Sequence, residues 1–511
     1  MNAKKALWLV VIVVVLLLAV AAPALAVQSK NVAVSKVAST SAVLVVKADV
    51  TTNVEVDYGS APGVYAYTRT SSSLIRHEIL LDSLAPAAVV YYRVIITDSA
   101  NPAASITLPE KSFHTARTAG QAFSFAAAGD NRPPTNSDVT QPAVWNTIVA
   151  QMSSENLDLF LNVGDIIYGW GTDTPAQNEA KYDGLFASTA PLTATVPMYV
   201  AVGNHEWIST AVNKTGYERE LALPVNNGAD AATNGEEYYS FDNGDTHFIA
   251  LCTEIPGQEG MVTGNQKNWL QQDLAASSKR WIVVFFHRPM FAGTHTTDPW
   301  TDVTNVTGQQ NKADMQALFT QYHVNLVLEG HEHFYHHHVE GGVNYIITGG
   351  GGAPLYPAPT PGAGDIFTAS TFEHVKIDET ASTLHVTAID STGATIESFT
   401  ITGPDLHLTQ NRIYWASYAD YVNHDLSVDY SIANSGGDAT NLQVVYLSAS
   451  NGVLPLTATP VALGSLAAGA SAPATIHYLV PTGVSVFRAT TYVSCNDPSG
   501  GAYSYPGPPP L

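Results

Sequence analysis

The sequence predicts an α/β domain set between two all-β sandwich domains. Three observations predict it: short alternating strands up to about residue 116, apolar runs interleaved with helical spacing from about 117 to 403, and a return to alternation after Gly403-Pro404. A chain of 511 residues is also too long for a single core.

The first 26 residues stand apart. Lys4 and Lys5 precede an apolar run from Ala6 to Ala22, then Pro23 and the small-x-small triplet Ala24-Leu25-Ala26. That is the layout of a signal peptide cleaved after Ala26, although the run is nearly long enough to stay as an uncleaved membrane anchor. Either outcome predicts a secreted or cell-surface protein.

Residues 27–116 carry the segments SAVLVVKAD, TNVEVDYG, HEILLDSL, VVYYRVIITD and KSFHTA. Alternation such as Val54, Val56, Tyr58, with turn-prone stretches between, marks a small β-sandwich. The stretch LDSLAPAAVVYYRVIITD resembles a fibronectin type III module, with Val90 where such modules usually place a corner tyrosine.

Residues 117–403 supply six candidate strands: FSFAAA, LDLFLNV, VPMYVAV, WIVVFF, VNLVLE and VNYIIT. Helical spacing appears between them in AVWNTIVAQMSS, NQKNWLQQDLAAS and ADMQALFTQY. Residues 404–511 alternate again in LSVDYSIAN, LQVVYLSAS, ATIHYLVP and VFRATTYVS, and end in a Pro-rich tail. This predicts a C-terminal sandwich, with no role legible.

A net charge of -22 excludes a nucleic-acid duplex as partner, since no clustered Lys/Arg footprint exists. An anionic substrate would need a local positive centre. Only Cys252 and Cys495 are present, in segments assigned to different domains, so a disulfide framework is excluded and Cys252 reads as a buried small hydrophobe. Asn213-Lys-Thr and Asn305-Val-Thr fit the glycosylation pattern.

Five of the middle strands are followed at once by residues of metal-ligand type. They read AAAGDNR with Asp130, LNVGDIIY with Asp165 and Tyr168, AVGNHE with Asn204, His205 and Glu206, VFFHRP with His287, and LEGHEH with His331 and His333. Gly-Asp and Gly-Asn are common turn formers singly, but five such junctions at strand ends are not accidental turns. Glycine permits the sharp exit and close backbone approach that a cation site requires. Carboxylates, an amide oxygen and imidazoles, without thiolates, suit iron, manganese or zinc.

In that order the motifs GD, GDxxY, GNHE, apolar-run-His and GHxH resemble the calcineurin-like metallophosphoesterase superfamily. Tyr168 and the fibronectin-like module narrow the resemblance to purple acid phosphatases. It implies a β-sandwich core flanked by helices, and two metal ions, iron with iron, zinc or manganese. It places Asp130, Asp165, Tyr168 and His333 on one metal, with Asp165 bridging to a second held by Asn204, His287 and His331. It further implies hydrolysis of a phosphorylated small molecule, a phosphomonoester, by a metal-bound hydroxide. His205 would orient phosphate or water, and His295 would protonate the leaving group.

Arg132 departs from the family's usual GDxG and would either fork onto substrate phosphate or pair with an acidic neighbour. Glu332 also departs, and would narrow substrate choice. His336, His337 and His338 read as surface or outer residues, and GGGG at 349–352 as a flexible rim beside the site. A phosphodiesterase or nucleotidase with the same metals is the alternative activity. A surface adhesion or polymer-binding protein, with sandwiches that touch a cell surface and an inactive site, is the alternative class. Oligomeric state is not legible.

Overall fold

In the middle domain, neighbouring residues of one strand fall into two different apolar clusters. Phe248 and Ala250 pack with Val283 and Phe285 on one face, while Ile249, Ile282 and Val284 pack on the other. Side chains alternate across a strand, so apolar runs demand cover on both faces. Helices Gly264–Ala276 and Val306–Gln321 cover the outer face with Leu270, Leu274, Met315 and Phe319. A second sheet covers the inner face, meeting the first through the edge-to-face pair Phe125–Phe248 with centroids 5.1 Å apart.

The computed structural model describes residues 27–206, 211–227, 235–291, 293–498, 500 and 502–506. The expected signal segment and the end of the Pro-rich tail lie outside them. Among the described residues no helix is long and apolar enough to cross a membrane.

One sheet orders its strands Tyr239–Asn243, Thr246–Ala250, Trp281–Phe285, Leu326–Glu329, Val343–Thr348, Tyr335–Glu340, Asp365–Ala369. The other runs Thr395–Thr402, Thr383–Asp390, Glu373–Glu379, Phe123–Ala128, Leu159–Asn162, Met198–Val200. Each contains a parallel set, 246–250 with 281–285, 326–329 and 343–348, and 123–128 with 159–162 and 198–200. The six strands expected from the sequence are all present and belong to these parallel sets.

Helices Pro175–Thr193 and Ala211–Glu220 were not legible. Their buried faces contain Asn178, Lys181, Asn213 and Glu220, so no apolar stripe marks them. The first begins at a capping box in which Thr174 and Gln177 satisfy each other's amides, with Pro175 at the first turn. Helix Val306–Gln321 starts seven residues before the spacing suggested, because the Asn305 side chain caps it by accepting from the Gly308 amide. Asn213 is buried and accepts from Asn178 Nδ2 at 2.7 Å, so it offers no surface for a glycan.

The N-terminal domain has six strands around Leu44, Val46, Val56, Tyr92 and Val94. The two expected strands SAVLVVKAD and TNVEVDYG are one long strand, Ala42–Gly59, whose register breaks between Lys47 and Thr52. Its first half pairs with Ser29–Ser35 and its second with Val89–Asp98. At that break the buried Lys47 ammonium meets Asp183 at 2.7 Å and Glu220 at 3.0 Å, one on each newly found helix. Two residues before Asp183 on the first of these helices, Lys181 Nζ donates to the Tyr168 carbonyl at 2.6 Å. A loop of the candidate site is thus anchored through a helix to the neighbouring domain.

At the C-terminus, two four-stranded sheets share a cluster including Ile432, Val444, Ile476 and Val493. Both cysteines are buried and free.

Candidate metal site

The loops leaving the parallel strands converge. Asp130 and Asp165 both have φ of 55°, and His331 has φ of 69°, left-handed values that side chains other than glycine rarely adopt. The adjoining glycines make this packing possible: a Cβ on Gly330 would lie 2.7 Å from Asp130 Oδ2, and one on Gly164 2.8 Å from His287 Nδ1. Buried Glu206 ties two loops together, accepting from the amides of Asp165 at 2.8 Å, Ile167 at 3.1 Å and Gly203 at 2.9 Å. Burial, and then the Asp165 charge, push its proton affinity well up.

Hydrogen counting describes the interior. His287 Nδ1 donates to the Val163 carbonyl at 2.9 Å, so a neutral ring carries no hydrogen on Nε2. That Nε2 faces Asn204 Oδ1 at 2.9 Å, His331 Nδ1 at 3.2 Å and Asp165 Oδ1 at 3.3 Å. His333 Nδ1 likewise donates to the Pro354 carbonyl at 2.8 Å, leaving Nε2 bare 3.5 Å from Asp130 Oδ1. Asp130 Oδ1 is buried with no hydrogen-bond partner. Lone pairs gathered without donors repel one another unless a cation stands among them.

Asp130, Asp165 and His287 place ligand atoms within 4.8 Å of one another. Burial alone would protonate Asp165, but His287 and His205 in their charged forms, together with the Arg132 guanidinium, outweigh it and hold the carboxyl far below its ordinary range. The donor set is the hard-to-borderline one that divalent and trivalent transition ions take. All six carboxylate, amide and imidazole donors expected from the sequence, Asp130, Asp165, Asn204, His287, His331 and His333, therefore meet in one place.

The remaining expected residues border them. Tyr168 is half-buried, its ring 4.2 Å from that of His205. His205 donates its amide to Asp165 Oδ1 at 3.0 Å and holds Nδ1 3.2 Å from the Gly169 carbonyl. Arg132 takes the second of its two expected places: Nε pairs with Asp165 Oδ2 at 3.2 Å, and the guanidinium lies 4.5 Å from the Tyr168 ring centroid. His295 is partly exposed, with its ring 4.2 Å from that of His331. Glu332 is fully buried beneath it and accepts from the amides of Thr294 at 3.0 Å and His295 at 2.8 Å, so it shapes the His295 loop.

Two site residues were missed. Asp298 puts Oδ2 3.1 Å from His331 Nε2 and Oδ1 2.7 Å from Arg288, which also pairs with buried Glu254 at 2.7 Å. Tyr356 stacks on His333 at 4.1 Å and 14°. Neither sits in a strand-end motif, so only the three-dimensional fold exposes them.

Two expectations need correction. Gly349–Gly352 are buried and hydrogen-bonded rather than a flexible rim, with Gly351 N donating to the Gly129 carbonyl at 2.9 Å. His336, His337 and His338 are buried on the strand Tyr335–Glu340, not surface residues, because Asp365 and Phe291 lie against His336 and His338 on one face while Phe399 and Glu397 cover His337 on the other.

Residues 127–335 match the family model described as calcineurin-like phosphoesterase. The chain carries a calcineurin-like phosphoesterase domain. It is 28% identical over 306 residues to purple acid phosphatase 23 of Arabidopsis thaliana, covering 53% of this chain and 59% of the relative. It is 26% identical over 293 residues to a probable inactive purple acid phosphatase 27 of the same plant, covering 51% and 46%. The chain thus spans about half the length of the curated relatives it matches. The fold is similar to that of a purple acid phosphatase from yellow lupin (Lupinus luteus) seeds, with a TM-score of 0.60 at 19% identity over 74% of each chain.

Proposed function

We propose that this calcineurin-like phosphoesterase hydrolyses phosphomonoesters at a dinuclear metal centre. The observation that carries the reading is the cluster of bare lone pairs around His287 Nε2 and Asp130 Oδ1. Asp130, Tyr168 and His333 would hold one ion and Asn204, His287 and His331 the other, with Asp165 between them. Such a pair, iron with iron, zinc or manganese, supplies a nucleophile from water at neutral pH and offsets charge on the phosphoryl oxygens.

The chain's own residues supply the rest. His205, held through its amide on Asp165, would orient phosphate. His295 acts as the proton donor to the leaving oxygen, its proton affinity raised chiefly by the hydrogen bond to Glu332. Arg132 keeps Asp165 ionised, with Nε on Asp165 Oδ2 and Nη1 donating to the Pro133 carbonyl at 3.3 Å. Tyr168, exposed Trp170 with its ring 6.1 Å from that of Tyr168, and Tyr356 give the mouth aromatic faces, which favours an aryl or otherwise flat leaving group.

An inactive adhesion protein would have no reason to keep six donors converged at a cost in backbone strain. The test is hydrolysis of an aryl phosphate monoester beside its diester by the full chain. Monoester turnover abolished by chelator supports the reading, diester preference moves the chain to a phosphodiesterase, and silence on both sinks it. The two flanking β domains we read as spacers or binding modules, the first fibronectin type III-like, on a protein exported from the cell.

A further inference from the structure

A second group of donors lies away from these loops. His336 and His338 share one face of the strand Tyr335–Glu340, and Asp365 opens the neighbouring strand Asp365–Ala369. His336 Nε2 and His338 Nδ1 each stand 2.7 Å from one oxygen, Asp365 Oδ1. The three ligand atoms lie within 4.8 Å of one another. They border a pocket of about 330 Å³ that Phe291, Trp300 and Lys312 also line.

Two imidazole nitrogens thus converge on a single carboxylate oxygen, and both rings are buried. His338 is 4% exposed and fixed by stacking on Phe291 at 3.7 Å; its Nδ1 faces Asp365, and its buried, unpartnered Nε2 is the nitrogen that would carry the ring hydrogen when Nδ1 binds an ion. His337, between them, points the other way and meets Glu397 at 3.0 Å and Asn344 at 3.2 Å, so the strand sorts its histidines by face.

We propose that His336, His338 and Asp365 bind a divalent transition-metal ion of the zinc class, distinct from the catalytic pair. Two imidazoles and a carboxylate with an open side toward a pocket form a three-ligand site whose remaining position goes to water. The ion would fasten Asp365, which ends the return segment 349–364, to the strand that follows His333. That segment carries Tyr356 against the His333 ring, so the clip would stiffen one wall of the catalytic site.

The test is zinc content after dialysis of the full chain against Zn²⁺, comparing the parent with His338→Ala and Asp365→Asn. The same comparison is made in an Asp165→Asn background, so the result does not depend on the proposed catalytic pair. Each variant is expected to hold one equivalent less than its parent in both backgrounds. Chelator-stripped protein reloaded with Co²⁺ should lose part of its visible absorption in the same variants. Asp365→Asn keeps the side-chain size and an acceptor, which guards against a folding loss, and melting curves check it. Equal zinc content in parent and Asp365→Asn, with an unchanged Co²⁺ spectrum, overturns the proposal.

Discussion

His287 holds Nε2 2.9 Å from Asn204 Oδ1 while its Nδ1 lies 2.9 Å from the Val163 carbonyl. One neutral imidazole cannot donate to both, and the second contact fixes which nitrogen is bare. His287→Ala should therefore cost metal affinity and lower turnover by about 100-fold or more, the scale for losing a ligand or its orienting partner. Metal analysis after dialysis, with single-substrate kinetics, measures both. Wild-type metal content in this variant would show that the cluster is held by protons alone.

Glu332 and His295 form a pair whose titration has a definite sign. The Glu332 hydrogen bond is the largest influence on His295 and raises its proton affinity, while burial opposes it. A proton donor works while protonated, so activity falls as pH rises through its pKa. Glu332→Gln lowers that pKa and should move the alkaline limb of kcat to lower pH. A limb that stays in place would remove His295 from the proton-donor role.

Gly203 has no room for a methyl group. A Cβ there would lie 2.6 Å from Glu206 Oε2 and closer still to the Asp165 amide, both held in the loop network. Gly203→Ala must displace backbone, and we expect a loss of about 2–4 kcal/mol with impaired metal retention. Thermal melts and metal analysis check this together. An unchanged melt would mean the loops are looser than their hydrogen bonds indicate.

His247 offers a stability test far from the chemistry. Burial lowers its proton affinity, but hydrogen bonds to Asp242 at 2.7 Å and Asp273 at 2.9 Å prevail and bring the pKa to about 9. A folded-state pKa above the unfolded value stabilises fully below the ordinary 6.5, and that contribution disappears as pH rises through about 9. The Tm gap between wild type and His247→Asn should thus be widest near about pH 6 and narrow toward about pH 10. A constant gap would show that the ring acts only by packing.

The motif residues were legible because metal ligands must follow strand ends, and each was preceded by an apolar run that cannot be hidden. Asp130, Asp165 and His287 needed only that logic. The helices Pro175–Thr193 and Ala211–Glu220 were not legible, since Asn178 and Asn213 bury an amide pair where an apolar stripe would be read. Asp298 and Tyr356 were missed for another reason: their partners, His331 and His333, lie 33 and 23 positions away in the sequence and meet them only through folding. The run of three histidines misled because alternation on a buried strand, not composition, decides where each ring points.

The most direct measurement is Asp165→Asn, assayed for metal content and aryl phosphate monoester turnover beside the wild type. Asp165 lies between the two donor groups, so the account predicts loss of both catalytic ions and of turnover while the fold persists. Full metal content with normal turnover would contradict it, leaving the converged lone pairs without a bridging carboxylate and the phosphoesterase reading without its centre.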